Sequence, residues 1–247
     1  MESNKFSLEG KKILITGASS GIGKQTAIEA SKLGAELVLT GRDEKRLDET
    51  LSLCKKGNHK LIIADLLVHE QLKNVVSEIS KLDGIVHSAG AVEYMPCKFI
   101  NEKNVYEMMD VNYKTAVLIT SYLLRKKKLN NMASIVFISS IASVLPAFGG
   151  SLYSSAKAAL EGFSRALSVE IAAKKMRSNC LLPTLVETDL LDKARKVVSA
   201  HGINQYETQL PLGFGEPEDV ANTAIFLLSD EAKWITGQSI KMGVIAF

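Results

Sequence analysis

One stretch limits the choice of fold more than any other. Lys11-Lys12-Ile13-Leu14-Ile15-Thr16 is a short apolar run of the kind that forms a buried strand. Gly17-Ala18-Ser19-Ser20-Gly21-Ile22-Gly23 follows without a break, and helical spacing of apolar residues takes over from Thr26 to Leu33. A strand, a glycine-rich turn and a helix in that order present backbone N–H groups at the helix N-terminus, where an anion such as a phosphate is stabilised. The glycines let the backbone approach the anion and let the helix pack close to the strand. A glycine triplet alone is weak evidence; its place between strand and helix gives it weight.

The alternation continues along the chain. Further strands are expected at Glu36–Thr40, Lys60–Ala64, Gly84–Ser88, Ser134–Ile138, Arg177–Leu182 and Ser239–Met242. Between them lie helical patterns over Glu44–Leu53 (capped by Asp43), His69–Ser80, a long stretch from Asn101 towards Leu129, the segment after Tyr153, and Glu218–Leu228. Strands alternating with helices imply an α/β protein: a doubly wound, seven-stranded parallel sheet with helices on both faces, the Rossmann arrangement. At 247 residues one domain suffices. The polar stretch within 185–212 is expected to form a flap over the site.

Composition removes several classes of function. A net charge of +3 gives no electrostatic footprint for nucleic acid. The run Arg125-Lys126-Lys127-Lys128 reads as a solvated helix end. Cys54, Cys97 and Cys180 stand far apart without metal spacing, and four scattered histidines argue against a metal site. The polar start and the absence of a membrane-length apolar run point to a cytoplasmic protein.

Tyr153 and Lys157 are four residues apart on an expected helix, so phenol and ammonium share a face. A cation beside a phenol favours the ionised form and lowers a pKa that is ordinarily near 10. A tyrosine so tuned can exchange a proton with an alcohol or carbonyl oxygen. At the end of the second strand an acidic residue would hold a ribose 2′-hydroxyl, but Gly41-Arg42 stand there. The Arg42 guanidinium suits a 2′-phosphate, which favours NADP(H) over NAD(H), with Asp43 next to it.

With these features in place the chain resembles the short-chain dehydrogenase/reductase family, single-domain branch, from about Lys11 to about Lys241. Thr16 to Gly23 looks like the family's TGxxxGxG loop, and Tyr153-Ser154-Ser155-Ala156-Lys157 like its YxxxK signature. Ser140, thirteen residues before Tyr153, matches the catalytic serine, and Asn112 matches the structural-catalytic asparagine. The adjacent Ser139 is the competitor for that role; the interval to Tyr153 decides for Ser140. Pro211-Leu212-Gly213, Gly215 to Val220 and Ile235 to Gln238 are similar to bacterial 3-oxoacyl-carrier-protein reductases and sugar or alcohol dehydrogenases.

The resemblance implies an oxidoreductase moving hydride between NADP(H) and a ketone or secondary alcohol. Ser140 would polarise the carbonyl, Tyr153 would donate the proton, Lys157 would hold the nicotinamide ribose, and Asn112 would position a water. Implied cofactor contacts are Gly17, Ser19, Ser20, Gly21, Ile22, Gly23, Asp65 (adenine), Leu66, Ser88, Ala89, Gly90, Tyr153, Lys157, Pro183, Val186 and Thr188 (carboxamide), alongside Arg42. It also implies a homotetramer or homodimer.

Three departures from the family pattern stand out. His87-Ser88-Ala89-Gly90 replaces Asn-Asn-Ala-Gly, Thr184 replaces a glycine, and the apolar tail Met242-Gly243-Val244-Ile245-Ala246-Phe247 replaces Asp-Gly-Gly. His87 is expected to be a satisfied interior group, Thr184 to narrow the nicotinamide-side loop, and the tail to be an oligomer contact or core. Candidate substrate-lining residues (Ala142, Val144, Leu145, Phe148, Leu185, Val186, Leu190) are mostly apolar and favour a hydrophobic or 3-oxoacyl-type substrate. An NAD-dependent alcohol or sugar dehydrogenase and a non-catalytic dinucleotide-binding scaffold are the alternative readings.

Overall fold

The computed structural model describes residues 5–192 and 209–245. Seven strands form one sheet: β1 Lys12–Thr16, β2 Glu36–Gly41, β3 Lys60–Ile63, β4 Leu82–His87, β5 Leu129–Ile138, β6 Arg177–Pro183 and β7 Ser239–Met242. Their order is β3-β2-β1-β4-β5-β6-β7, and every pair is parallel. The order reverses between β1 and β4, so the loops after these strands diverge and leave a crevice at the carboxyl edge of the sheet.

Alternation along the strands divides the core in two. Leu14, Val38, Ile85, Ile135 and Phe137 face α3 (His69–Glu78), α5 (Thr115–Arg125) and α6 (Ser151–Ile171). Ile13, Ile15, Leu37, Leu39 and Val136 face α1 (Gly21–Lys32), α2 (Glu44–Leu53) and α7 (Pro217–Leu228). Each central strand is apolar on both sides because helices cover both faces. The Asp43 carboxylate accepts the Arg46 N–H at 3.1 Å and so caps α2.

Two expectations need correction. The stretch from Asn101 to Leu129 is not one helix. It is α4 (Glu102–Met109), a π turn over Asp110–Lys114 and then α5, while Leu129 already opens β5. Apolar periodicity runs through the π turn, so spacing alone could not reveal it. Nor is the basic run simply a solvated helix end. Lys128 sends its ammonium to the carbonyls of Val76 (2.9 Å), Ser77 (2.8 Å) and Ile79, which end α3 and its exit turn. Helix-end carbonyls lack intrahelical partners, and a cation satisfies them.

The expected flap lies mostly outside the described residues. Its described ends are anchored: Val186 bridges Gly215, and Leu191 and Leu210 are buried. Of the tail, Met242 packs on the core while Val244 is exposed. Among the described residues no helix is long and apolar enough to cross a membrane, and no group of three or more His, Cys, Asp or Glu could hold a metal.

Candidate active site

The loop between β1 and α1 is set by close backbone contacts. Thr16 ends β1 with its hydroxyl oxygen accepting the N–H groups of Ser88 (3.2 Å) and Ala89 (3.3 Å), which ties the β1 and β4 loops together. A Cβ on Gly17 would come within 2.8 Å of the Ala89 backbone, and one on Gly23 within 2.4 Å of the Gly17 carbonyl oxygen. Ser19 Oγ lies near Gly41 at the end of β2, and the Thr188 side chain lies against Gly21. Ser20 is the N-cap of α1, yet its side chain makes no capping bond, and the first turn holds no acidic residue. The helix therefore keeps its leading N–H groups and positive dipole end for an external anion, as a dinucleotide diphosphate requires.

The catalytic candidates gather on the next loops. Tyr153 and Lys157 lie on consecutive turns of α6 and are buried. The Ser140 hydroxyl lies beside the Tyr153 phenol and works to lower its pKa, and its oxygen accepts the Ala142 N–H at 3.2 Å. Ser139 turns the other way: its hydroxyl donates to the Lys157 carbonyl (3.2 Å) and the Glu161 carboxylate (3.3 Å) inside the core. Lys157 Nζ donates to the Ile138 carbonyl at 2.9 Å and sits 5.6 Å from the Tyr153 ring centre. Asn112, buried in the π turn, clamps Ala91 at both ends, donating to its carbonyl (2.9 Å) and accepting its N–H (3.2 Å). Gly90 passes between them: a Cβ there would meet Asn112 Oδ1 at 2.9 Å and Lys157 Nζ at 3.4 Å. A π turn placed at such a junction re-aims one side chain within a helix.

The electrostatics differ from expectation. The Tyr153 pKa is not lowered. Burial pushes it up to about 12, against the opposing Ser140 hydrogen bond, and the nearby Tyr94 phenol adds to the rise. Burial also brings Lys157 down to about 8, with Cys180 opposing weakly. Desolvation disfavours whichever form is charged, and it is the largest influence on both groups. At neutral pH the pair is a protonated phenol beside a cation.

Other expected residues are distributed as follows. Arg42 is exposed just beyond β2 and makes no hydrogen bond or ion pair among the described residues. Asp65 follows β3 and accepts the Leu67 N–H at 3.0 Å, while Leu66 packs on the core beneath. Ser88, Ala89 and Gly90 border the glycine loop. Pro183 ends β6. Val186 is buried in the core facing α7 rather than open to the crevice. Thr184 lies against Gly243, where a Cβ would come within 2.3 Å of its hydroxyl; two departures from the family pattern thus accommodate each other. Tyr94 and Met108 were not foreseen. Tyr94 lies near Tyr153, and Met108 packs with Tyr153 and Ala156. A small pocket beside them is lined by Glu93, Met95, Asn104, Met108, Gly149 and Leu152. No motif marks Tyr94 or Met108.

His87 is only half satisfied. Its Nε2 meets Thr120 Oγ1 at 2.9 Å and its ring stacks on Phe137 at 4.9 Å, while Nδ1 has no partner. Burial lowers its pKa from 6.5 to about 3. The unfolded chain takes up this proton below pH 6.5 and the folded chain does not. The stabilisation is therefore complete above pH 6.5 and drains as pH falls towards 3. At about 1.4 kcal/mol per unit, acidification to pH 5 costs about 2 kcal/mol. Urea unfolding at pH 7.5 and 5.0 should show this loss, and His87→Asn should reduce it by about that amount. Equal losses in both proteins would place the acid sensitivity elsewhere.

Comparison with known proteins agrees with this arrangement. Residues 17–243 match the family model described as enoyl-(acyl carrier protein) reductase. The chain is 34% identical over 234 residues to the 3-oxoacyl-[acyl-carrier-protein] reductase FabG of Rickettsia felis, covering 94% of this chain and 95% of that protein. A dehydrogenase/reductase from Sinorhizobium meliloti superposes with a TM-score of 0.88 at 28% identity, covering 96% and 95% of the two chains. A putative NAD(P)-dependent gluconate 5-dehydrogenase from Beutenbergia cavernae, solved with bound NADP, gives 0.86 at 28% identity, covering 96% and 97%. With the family model matched over most of the chain, a relative 34% identical almost end to end and the same fold in solved dehydrogenases, the chain belongs to the short-chain dehydrogenase/reductase family of NAD(P)-dependent oxidoreductases.

Proposed function

We propose that this protein is a single-domain, NADP(H)-dependent oxidoreductase interconverting a ketone and a secondary alcohol, with a hydrophobic, 3-oxoacyl-type substrate. One observation carries the reading: the Tyr153 phenol, with Ser140 beside it, is buried on the same helix face as Lys157, whose ammonium lies against Gly90 next to the glycine loop.

The residues divide the work. Gly17, Ser19, Ser20, Gly21, Ile22 and Gly23 would cradle the diphosphate at the α1 terminus, and Ser88, Ala89 and Gly90 would border the adjoining ribose. The bound cofactor supplies or accepts the hydride. Ser140 hydrogen-bonds the substrate oxygen and stabilises the charge that grows on it. Tyr153, protonated at neutral pH, delivers its proton to that oxygen, and the Lys157 cation compensates the charge left on the phenol. Asn112 holds Ala91, and with it the Gly90 backbone, against the lysine.

Arg42 supports the phosphorylated cofactor because its guanidinium is exposed just beyond β2 without an ion-pair partner among the described residues. The neighbouring carboxylate, Asp43, is already engaged in capping α2. The exposed Val144, Leu145 and Phe148 beside the site support an apolar substrate. Exposed Trp234 and Val169, next to the contact between Gly237 and Ser168, support assembly into a homotetramer or homodimer.

The test is NADPH oxidation over a panel of 3-oxoacyl thioesters, aliphatic ketones and sugars, repeated with NADH. Thioesters or apolar ketones should react fastest, with NADPH preferred. Arg42→Ala should weaken NADPH by about ten-fold or more and leave NADH nearly unchanged. An unchanged NADPH affinity would remove Arg42 from the cofactor site.

A further inference from the structure

An ion pair ties Asp189, beyond β6, to the opposite wall of the crevice. Arg46, in the first turn of α2, donates from Nη2 to the Asp189 carboxylate across 143 residues of sequence. The neighbours of this pair place it. Gly41, at the end of β2, touches Ser19 of the glycine loop on one side; Thr188, beside Asp189, touches Gly21 on the other. The Arg46–Asp189 pair therefore joins the two walls flanking the glycine loop. Arg46 is four residues after Arg42, one turn along from the end of β2.

We propose that Arg46 is a second cofactor-discriminating residue, held by Asp189 in the free enzyme and transferred to the 2′-phosphate when NADP(H) binds. This rests on the NADP(H) reading above and extends it to a residue that the family motifs do not mark. The energetics favour exchange. Side-chain exposures of 43% and 59% put the pair largely in water, where such a bridge holds a few-fold at most. A phosphate near two negative charges, flanked by two guanidiniums, is the stronger acceptor. NADH offers no such acceptor and leaves the pair closed.

The experiment measures dissociation constants of NADPH and NADH by nicotinamide fluorescence, without substrate, for wild type, Arg46→Ala, Asp189→Asn, the double variant and Arg42→Ala. Arg46→Ala should weaken NADPH about ten-fold while NADH moves less than two-fold. Asp189→Asn should tighten NADPH about two- to five-fold by removing the competing carboxylate, and the double variant should behave like Arg46→Ala. Equal weakening of both cofactors by Arg46→Ala, or no tightening in Asp189→Asn, would overturn the exchange and leave a merely structural bridge. If Arg42→Ala discriminates and Arg46→Ala does not, this inference falls while the cofactor reading stands. If wild type binds NADH as tightly as NADPH, the cofactor reading itself falls, and this inference with it.

Discussion

Tyr153→Phe is expected to lower turnover by about a thousand-fold while cofactor affinity stays within about three-fold. The substitution deletes one oxygen. The ring, packed on Met108 and Ala156 with the Lys157 ammonium 5.6 Å from its centre, is retained. Ser140 loses its phenol partner but keeps the Ala142 N–H, so no polar group is stranded and the fold should hold. What disappears is the group able to hand a proton to the substrate oxygen, a contribution of roughly a hundred- to ten-thousand-fold. A pKa pushed up to about 12 makes this phenol a reservoir that stays protonated across the physiological range. Steady-state NADPH oxidation alongside a fluorescence titration of the cofactor separates the two effects. Activity within ten-fold of wild type would show that another donor serves the reaction, and the assignment would have to be given up.

Gly23→Ala should cost about a hundred-fold in cofactor affinity and about 2–3 kcal/mol in stability. The added carbon would lie 2.4 Å from the Gly17 carbonyl oxygen and 2.9 Å from its carbon. These are backbone atoms and cannot rotate aside. Nor can Gly17 retreat, because the Ala89 backbone stands 2.8 Å from where its own Cβ would be. Either α1 shifts along its axis or the Gly17 peptide turns, and both move the N–H groups intended for the diphosphate. Gly162→Ala, on α6 with nothing within 4 Å, is the control. It should be neutral or stabilising by about 0.5–1 kcal/mol, since alanine is the better helix former. Calorimetric cofactor binding with thermal unfolding measures both variants. Normal affinity in Gly23→Ala would mean that the loop does not hold the cofactor.

Much of this molecule was legible in the chain because it is written locally. Strand alternation and helix periodicity depend on neighbours a few residues away. They located all seven strands and put Tyr153 and Lys157 on one helix face. The Asp43 cap and the glycine loop are equally local. Where reading failed, a distant part of the molecule had intervened. Lys128 looked solvated until the end of α3 came to meet it. The helix from Asn101 looked continuous because a π turn preserves apolar spacing while re-aiming Asn112. Val186 looked like a lining residue and is core.

Residue order therefore settled the class of fold, the strand-by-strand layout and the placing of Tyr153 and Lys157 on one helix, since each follows from spacing along a regular backbone. Folding in three dimensions settled the state of that pair. Burial raised the phenol and lowered the ammonium, a reversal of the expected direction for Tyr153, because desolvation depends on every element packed around a group. It also brought Arg46 to Asp189 and Thr188 to Gly21. Contacts between residues so remote in sequence leave no periodic trace, and only the assembled sheet with its covering helices sets their distance.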